Sequence, residues 1–121
     1  MQFGGHDLAA CADFELLSAV ANTAASQAIK LRVANVFSSD CFYGGDPDLV
    51  ARLQQHRICA IDMESAGLYG LAMREGIQAL SVLVVSDHLQ RGEHMSADQR
   101  EHGQSRMVAL VLDSLRSLAG G

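Results

Sequence analysis

The run Ala79-Leu80-Ser81-Val82-Leu83-Val84-Val85-Ser86-Asp87-His88 limits the fold more than any other stretch of the chain. Apolar and small residues lead without a break into one carboxylate, Asp87, and a polar loop over 90–94 follows. A continuous β-branched run predicts a strand buried on both faces, with helices packed against each side. In open α/β sheets, ligands collect just beyond the carboxyl ends of the strands. Asp87 stands at such an end and is a candidate chemical residue.

The flanking chain supplies the helices this strand needs. Asp13 is placed to cap a helix running to about Ala28, with Leu16, Leu17, Val20, Ala21 and Ala24 as its apolar stripe. Residues 30–37 read as a strand, and residues 38–45, with the adjacent aromatics Phe42 and Tyr43, as a loop. Asp46-Pro47 is a helix entry, since aspartate caps and proline is pre-set for the first helical position. That helix carries Leu49, Val50 and Leu53 and ends near His56. Residues 58–61 form a short strand delivering Asp62, Met63 and Glu64 to its end. A helix over 65–75 stops at Gly76, and its small residues Ser65, Ala66, Gly67 and Gly70 predict close backbone approach. Ser96 and Gln99 form a capping box for a long last helix with Met107, Leu110, Val111, Ser114 and Leu118 on one face. The order α-β-α-β-α-β-α predicts an α/β fold with a central parallel or mixed sheet flanked by helices.

Composition excludes several function classes. A chain of 121 residues that is 49% hydrophobic and 19% charged is globular and sized for one domain over 1–121. A net charge of −5 without a basic stripe argues against a nucleic-acid partner. Cys11, Cys41 and Cys59 match no zinc spacing and are expected to be reduced core thiols of a cytoplasmic protein. Neither a secretory leader nor a membrane span is expected. The opening residues read like the middle of a loop, which predicts a chain beginning inside a larger domain.

Two strand ends carry acids, Asp62 with Glu64 on one and Asp87 on the other, which suits a small polar ligand held at strand termini. Such carboxylates also serve simply to cap the next helix. Arg100 lies in the first turn of the last helix, where the dipole prefers anions, and this points to a partner such as Asp87. Phe42 and Tyr43 offer a stacking face for a flat ring, although loop aromatics also serve as satellite core. The five histidines have no cage-like spacing, so no metal is expected. No phosphate-cradling glycine motif and no nucleophile elbow is present.

Asp62-Met63-Glu64-Ser65-Ala66-Gly67-Leu68-Tyr69-Gly70, Val85-Ser86-Asp87-His88 and the helix start over 96–100 together resemble the nucleoside phosphorylase superfamily, nearest to hexameric bacterial purine nucleoside phosphorylases. The likeness continues through Asn35-Val36-Phe37-Ser38-Ser39-Asp40-Cys41-Phe42-Tyr43, and back to Asp13-Phe14 and His6-Asp7. The resemblance implies a phosphorylase/hydrolase-like fold, present here as the carboxyl-terminal half of its domain. It implies that Phe42 packs on a purine with Tyr43 beside it, and that Ile61 and Asp62 line the base pocket. Met63 would lie under the ribose, Glu64 would accept from its hydroxyls, Asp87 would protonate the base at N7, and Arg100 would hold or relay charge to Asp87.

The implied reaction is phosphorolysis of purine (deoxy)nucleosides to free base and (deoxy)ribose 1-phosphate. Inorganic phosphate is the co-substrate, no cofactor is needed, and the implied state is a homo-oligomer. Breaking the N-glycosidic bond leaves negative charge on the departing base, which a protonated carboxyl relieves; such a general acid contributes ~10²–10⁴ in rate. Asp87 would need burial to raise its pKa, and Arg100 close by would oppose that, so Arg100 must act late or from a distance. The family usually has glutamate at position 62, and its wording at 44–47 differs. Its phosphate site, a glycine-bearing loop, arginines and a serine, belongs to an amino-terminal half not matched here, so weak or no turnover is expected from this chain alone. Rival readings are a methylthioadenosine/adenosylhomocysteine-type nucleosidase and a non-catalytic remnant; a pyrimidine phosphorylase would leave Asp87 idle, since pyrimidines lack N7.

Overall fold

The computed structural model describes residues 4–40, 47–85, 87–88 and 93–120, with residues 87, 88 and 93 described by their backbone alone. The elements run α1 (Phe14–Ser26), β1 (Val36–Ser38), α2 (Pro47–Gln55), β2 (Ala60–Asp62), α3 (Ser65–Glu75), β3 (Asp87–His88), β4 (Glu93–His94) and α4 (Ala97–Gly120). They fall into two compact units: the chain up to Asp13 with Arg32–Leu80, and Phe14–Leu31 with the chain from Ser81 onward.

The first unit is a small parallel α/β element. β1 and β2 pair with Val36 opposite Ala60, Phe37 opposite Ile61 and Ser38 opposite Asp62. The Ser39 N–H continues the ladder by donating to the Asp62 carbonyl at 2.8 Å. α3 packs on β1, burying Ser65 and Ala72, while Leu53 is the buried residue of α2. α2 begins at Pro47 as expected; Asp46 lies outside the described residues. Asp13 stands immediately before α1, and its carboxylate accepts from Gln78 Nε2 at 3.0 Å.

The second unit is built on α1 against α4. The apolar stripes read from the sequence meet here: Val20 and Ala24 of α1 and Leu110 and Ser114 of α4 are buried. The buried Ser114 hydroxyl turns back to donate to the Leu110 carbonyl at 2.7 Å and is satisfied within its own helix. The capping box forms as predicted, with Gln99 N–H to Ser96 Oγ at 3.1 Å and Ser96 N–H to Gln99 Oε1 at 2.9 Å.

Three helices stop in the same way. Ala28, Arg57 and Gly76 follow α1, α2 and α3 with φ of 54°, 58° and 68°, each followed by an isoleucine. The Ile29, Ile58 and Ile77 amides reach back to the carbonyls of Ala24, Leu53 and Ala72. This is the left-handed termination that satisfies orphan carbonyls, and only the third has the glycine suited to it. Gly76→Ala is expected to cost about 1 kcal/mol and Ala28→Gly to return a similar amount, since the left-handed conformation penalises Cβ. Thermal melts should move by a few degrees in opposite directions for the two variants, and melts moving the same way would refute this.

The structure corrects several sequence expectations. Residues 79–85 form no strand ladder, and the run is not buried on both faces. Val82 and Val84 are partly covered, while Leu83 and Val85 are 48% and 66% exposed. α4 crosses close to Val84, where a Cβ on Gly103 would come within 3.1 Å of its Cγ1. A strand acquires its second covered face from neighbours that are remote in sequence. Among the described residues, β1 pairs only with β2 and β3 only with β4.

Among the described residues the strands form two pairs, one of them parallel with a helix packed on it, and the α/β class holds. The expected polar loop after Asp87 contains an antiparallel pairing, with Asp87 opposite His94 and His88 opposite Glu93. The strand placed at 30–37 shortens to Val36–Ser38, because the ladder extends only as far as its partner does. Of the small residues of α3, Gly67 faces open space, while Ser65 and Ala66 lie close to Asp62 and Ser38. Cys11 and Cys59 are free but exposed rather than core, each with its Sγ turned to a nearby carbonyl; Cys41 lies outside the described residues.

Candidate active site

The turn from β2 into α3 is the best-defined polar arrangement in the first unit. It begins with Asp62, a half-buried carboxylate at the last position of β2. The Ser38 hydroxyl, at the end of the neighbouring strand, donates to Asp62 Oδ1 at 2.6 Å. Oδ2 accepts the Ser65 N–H at 3.1 Å and also the Ser65 hydroxyl. The Ala66 N–H in turn donates to Ser38 Oγ at 2.9 Å. β1, β2 and the first turn of α3 are thus tied into one ring of hydrogen bonds. Bonds to a charged acceptor are worth roughly 1.5–3 kcal/mol each, the upper part of the range for proteins.

Glu64 holds the N-cap position of α3 with φ −124° and ψ −25°, and its side chain makes no capping bond. Capping residues ordinarily spend their oxygen on the helix's first amides. Here Asp62 and Ser38 take the Ser65 and Ala66 amides instead. The Glu64 carboxylate is exposed and without a partner among the described residues, beside exposed Met63. Ile61, Asp62, Met63 and Glu64 therefore follow one another at one strand exit, with the Glu64 carboxylate left out of the capping bonds.

The second unit holds the other two candidates. Asp87 lies on β3 opposite His94, and its side chain is outside the described residues, as are Phe42 and Tyr43 altogether. Arg100 is exposed in the first turn of α4, where its N–H donates to the Ser96 carbonyl at 3.0 Å. Among the described residues, no three His, Cys, Asp or Glu side chains converge to hold a metal. No helix among them is long and apolar enough to cross a membrane.

Sequence reasoning missed the part played by Ser38 and Ser65. The spacing of Asp62 and Ser65, three residues apart at a helix start, is a legible capping signal. Ser38 could not be found that way, because only the register of β1 on β2 brings it to Asp62.

Comparison with known proteins gives the family. The family model described as "Phosphorylase superfamily" matches residues 4–116. A DeoD-type purine nucleoside phosphorylase of Psychromonas ingrahamii is 44% identical over 95% of this chain and 49% of its own length. A second of that type, from Vibrio cholerae, is 40% identical over 94% of this chain and 48% of its own. The chain thus spans about half the length of the curated relatives it matches. The crystal structure of purine nucleoside phosphorylase from Toxoplasma gondii in complex with immucillin-H superposes with a TM-score of 0.76 at 22% identity, a likeness of fold covering 98% of this chain and 49% of that one. With the family model spanning nearly all of its described elements, the chain belongs to the phosphorylase superfamily.

Proposed function

We propose that this chain carries the nucleoside-recognising part of a purine nucleoside phosphorylase, which cleaves purine (deoxy)nucleosides with inorganic phosphate to free base and (deoxy)ribose 1-phosphate. The observation that carries the reading is the Glu64 carboxylate at the exit of β2, which makes no capping bond, in a chain whose relatives bear that activity in their names. In this reading Glu64 accepts from the sugar hydroxyls and Met63 packs beneath the ring. Ile61, Asp62, Phe42 and Tyr43 belong to the base. Asp87 donates a proton to the departing purine at N7, and Arg100 adjusts the charge on Asp87.

The chemistry fits this division of labour. As the glycosidic bond lengthens, positive charge grows on the sugar, where a carboxylate on the hydroxyls is favourable, and negative charge grows on the base, where an acid is needed. Phosphate is the nucleophile and no further cofactor takes part. The same reading makes the protein a cytoplasmic homo-oligomer of purine salvage. An exposed apolar row on α4, Val108, Leu112 and Leu115, supports the oligomer, because such rows mark association surfaces.

The test is release of free base from inosine and adenosine by the purified protein, with and without phosphate. Release from this chain is expected to be weak and to depend on phosphate. Release at an equal rate without phosphate would replace this reading with a nucleosidase using water. Binding of nucleoside without any release would reduce the chain to a recognition module.

A further inference from the structure

We propose that Ser38 and Ser65 are positioning residues for the nucleoside's sugar, acting through Asp62 to hold the turn that presents Met63 and Glu64. The inference rests on the functional reading above and deepens it. An α-helix begins with amides that need acceptors, and the residue at the N-cap is the usual source. In α3 that residue is Glu64, and its side chain makes no capping bond. Had Glu64 capped its own helix, its oxygens would be committed to backbone and withdrawn from any ligand.

The ring through Ser38, Asp62 and Ser65 removes that conflict. Asp62 supplies the acceptor for the Ser65 amide and Ser38 the acceptor for the Ala66 amide. Ser38 also donates to Asp62, so it is both donor and acceptor, a use open to a hydroxyl but not to a methyl group. Three donors on a carboxylate with about four acceptor sites leave Asp62 largely occupied. Beyond its place beside the base, its contribution is thus to fix the backbone at Met63 and Glu64. Ser38 enters from a different strand, so the position of Glu64 is referenced to the β1–β2 pair and not only to its own helix.

The experiment compares nucleoside with free base. Affinities of inosine and hypoxanthine, and of adenosine and adenine, are measured by calorimetry for the unsubstituted protein, Ser38→Ala, Ser38→Thr and Ser65→Ala, with Ser26→Ala on α1 as a control. Ser38→Ala is expected to weaken nucleoside binding about tenfold, the equivalent of one net hydrogen bond, with free-base affinity within twofold. Ser38→Thr should restore it, and hydrogen exchange at the Ala66 amide should accelerate in Ser38→Ala alone of the Ser38 pair. Parallel loss of nucleoside and base affinity would mean general loosening and overturn the inference, as would no loss of either. Should Ser38→Ala fail to fold by circular dichroism, Ser65→Ala carries the same comparison, with a smaller loss expected because the backbone amide still reaches Asp62. An unsubstituted protein that binds no nucleoside would overturn the functional reading and this inference with it, whereas nucleoside binding indifferent to all three serine variants would overturn this inference alone.

Discussion

Asp87→Asn is expected to slow release of free purine by ~10²–10⁴, the range a lost general acid produces, equivalent to roughly 3–5 kcal/mol of barrier. Asparagine keeps the size and the hydrogen-bonding outline of aspartic acid but has no proton to give. The loss should therefore fall on kcat, with nucleoside affinity within about threefold of the original. The backbone of Asp87 is held by pairing with His94, which the substitution leaves intact. The decisive control is the leaving group: a nucleoside whose base departs readily without protonation should lose far less. Equal loss for good and poor leaving groups would show that Asp87 does not act as an acid, and unaltered turnover would remove it from the mechanism.

Glu64→Ala is expected to weaken purine nucleoside binding by about 10–100-fold, since hydrogen bonds to a charged acceptor contribute roughly 1.5–3 kcal/mol. Free-base affinity should stay unchanged. The effect should shrink as the sugar loses hydroxyls, so that a 2′,3′-dideoxynucleoside is nearly insensitive to the substitution. Stability should change little, because the Glu64 side chain makes no capping bond. A large fall in melting temperature, or an equal penalty on the dideoxynucleoside, would contradict the proposed role. The experiment also separates Glu64 from Asp62, whose loss would open the hydrogen bonds to Ser38 and Ser65 and so lower both stability and binding.

Much of the local structure was legible in the residues. α3 occupies Ser65–Glu75 and stops at Gly76, because glycine there marks the left-handed end. Ser96 and Gln99 make both capping bonds, as their spacing requires. α2 opens at Pro47, and the apolar stripes of α1 and α4 bury Val20, Ala24, Leu110 and Ser114. Each of these is decided within a few residues, by a cap, a period or a terminator. Helix ends at Ala28 and Arg57 were less visible, since neither residue advertises positive φ; the isoleucine after each was the available sign.

What the residues alone determined is the inventory: four helices at their places, the strand exit carrying Asp62, Met63 and Glu64, and the family likeness that the comparisons bear out. What only the tertiary structure decided is pairing. The apolar run before Asp87 has the composition of a strand covered on both faces, yet Leu83 and Val85 stand exposed, because burial belongs to neighbours and not to the segment itself. The position of Ser38 against Asp62 likewise follows from strand register, which spans 24 residues of sequence and has no local signature. Capping is a short-range interaction, which sequence spacing records. Register is settled by how distant segments pack together, and with it whether Glu64 must cap its helix.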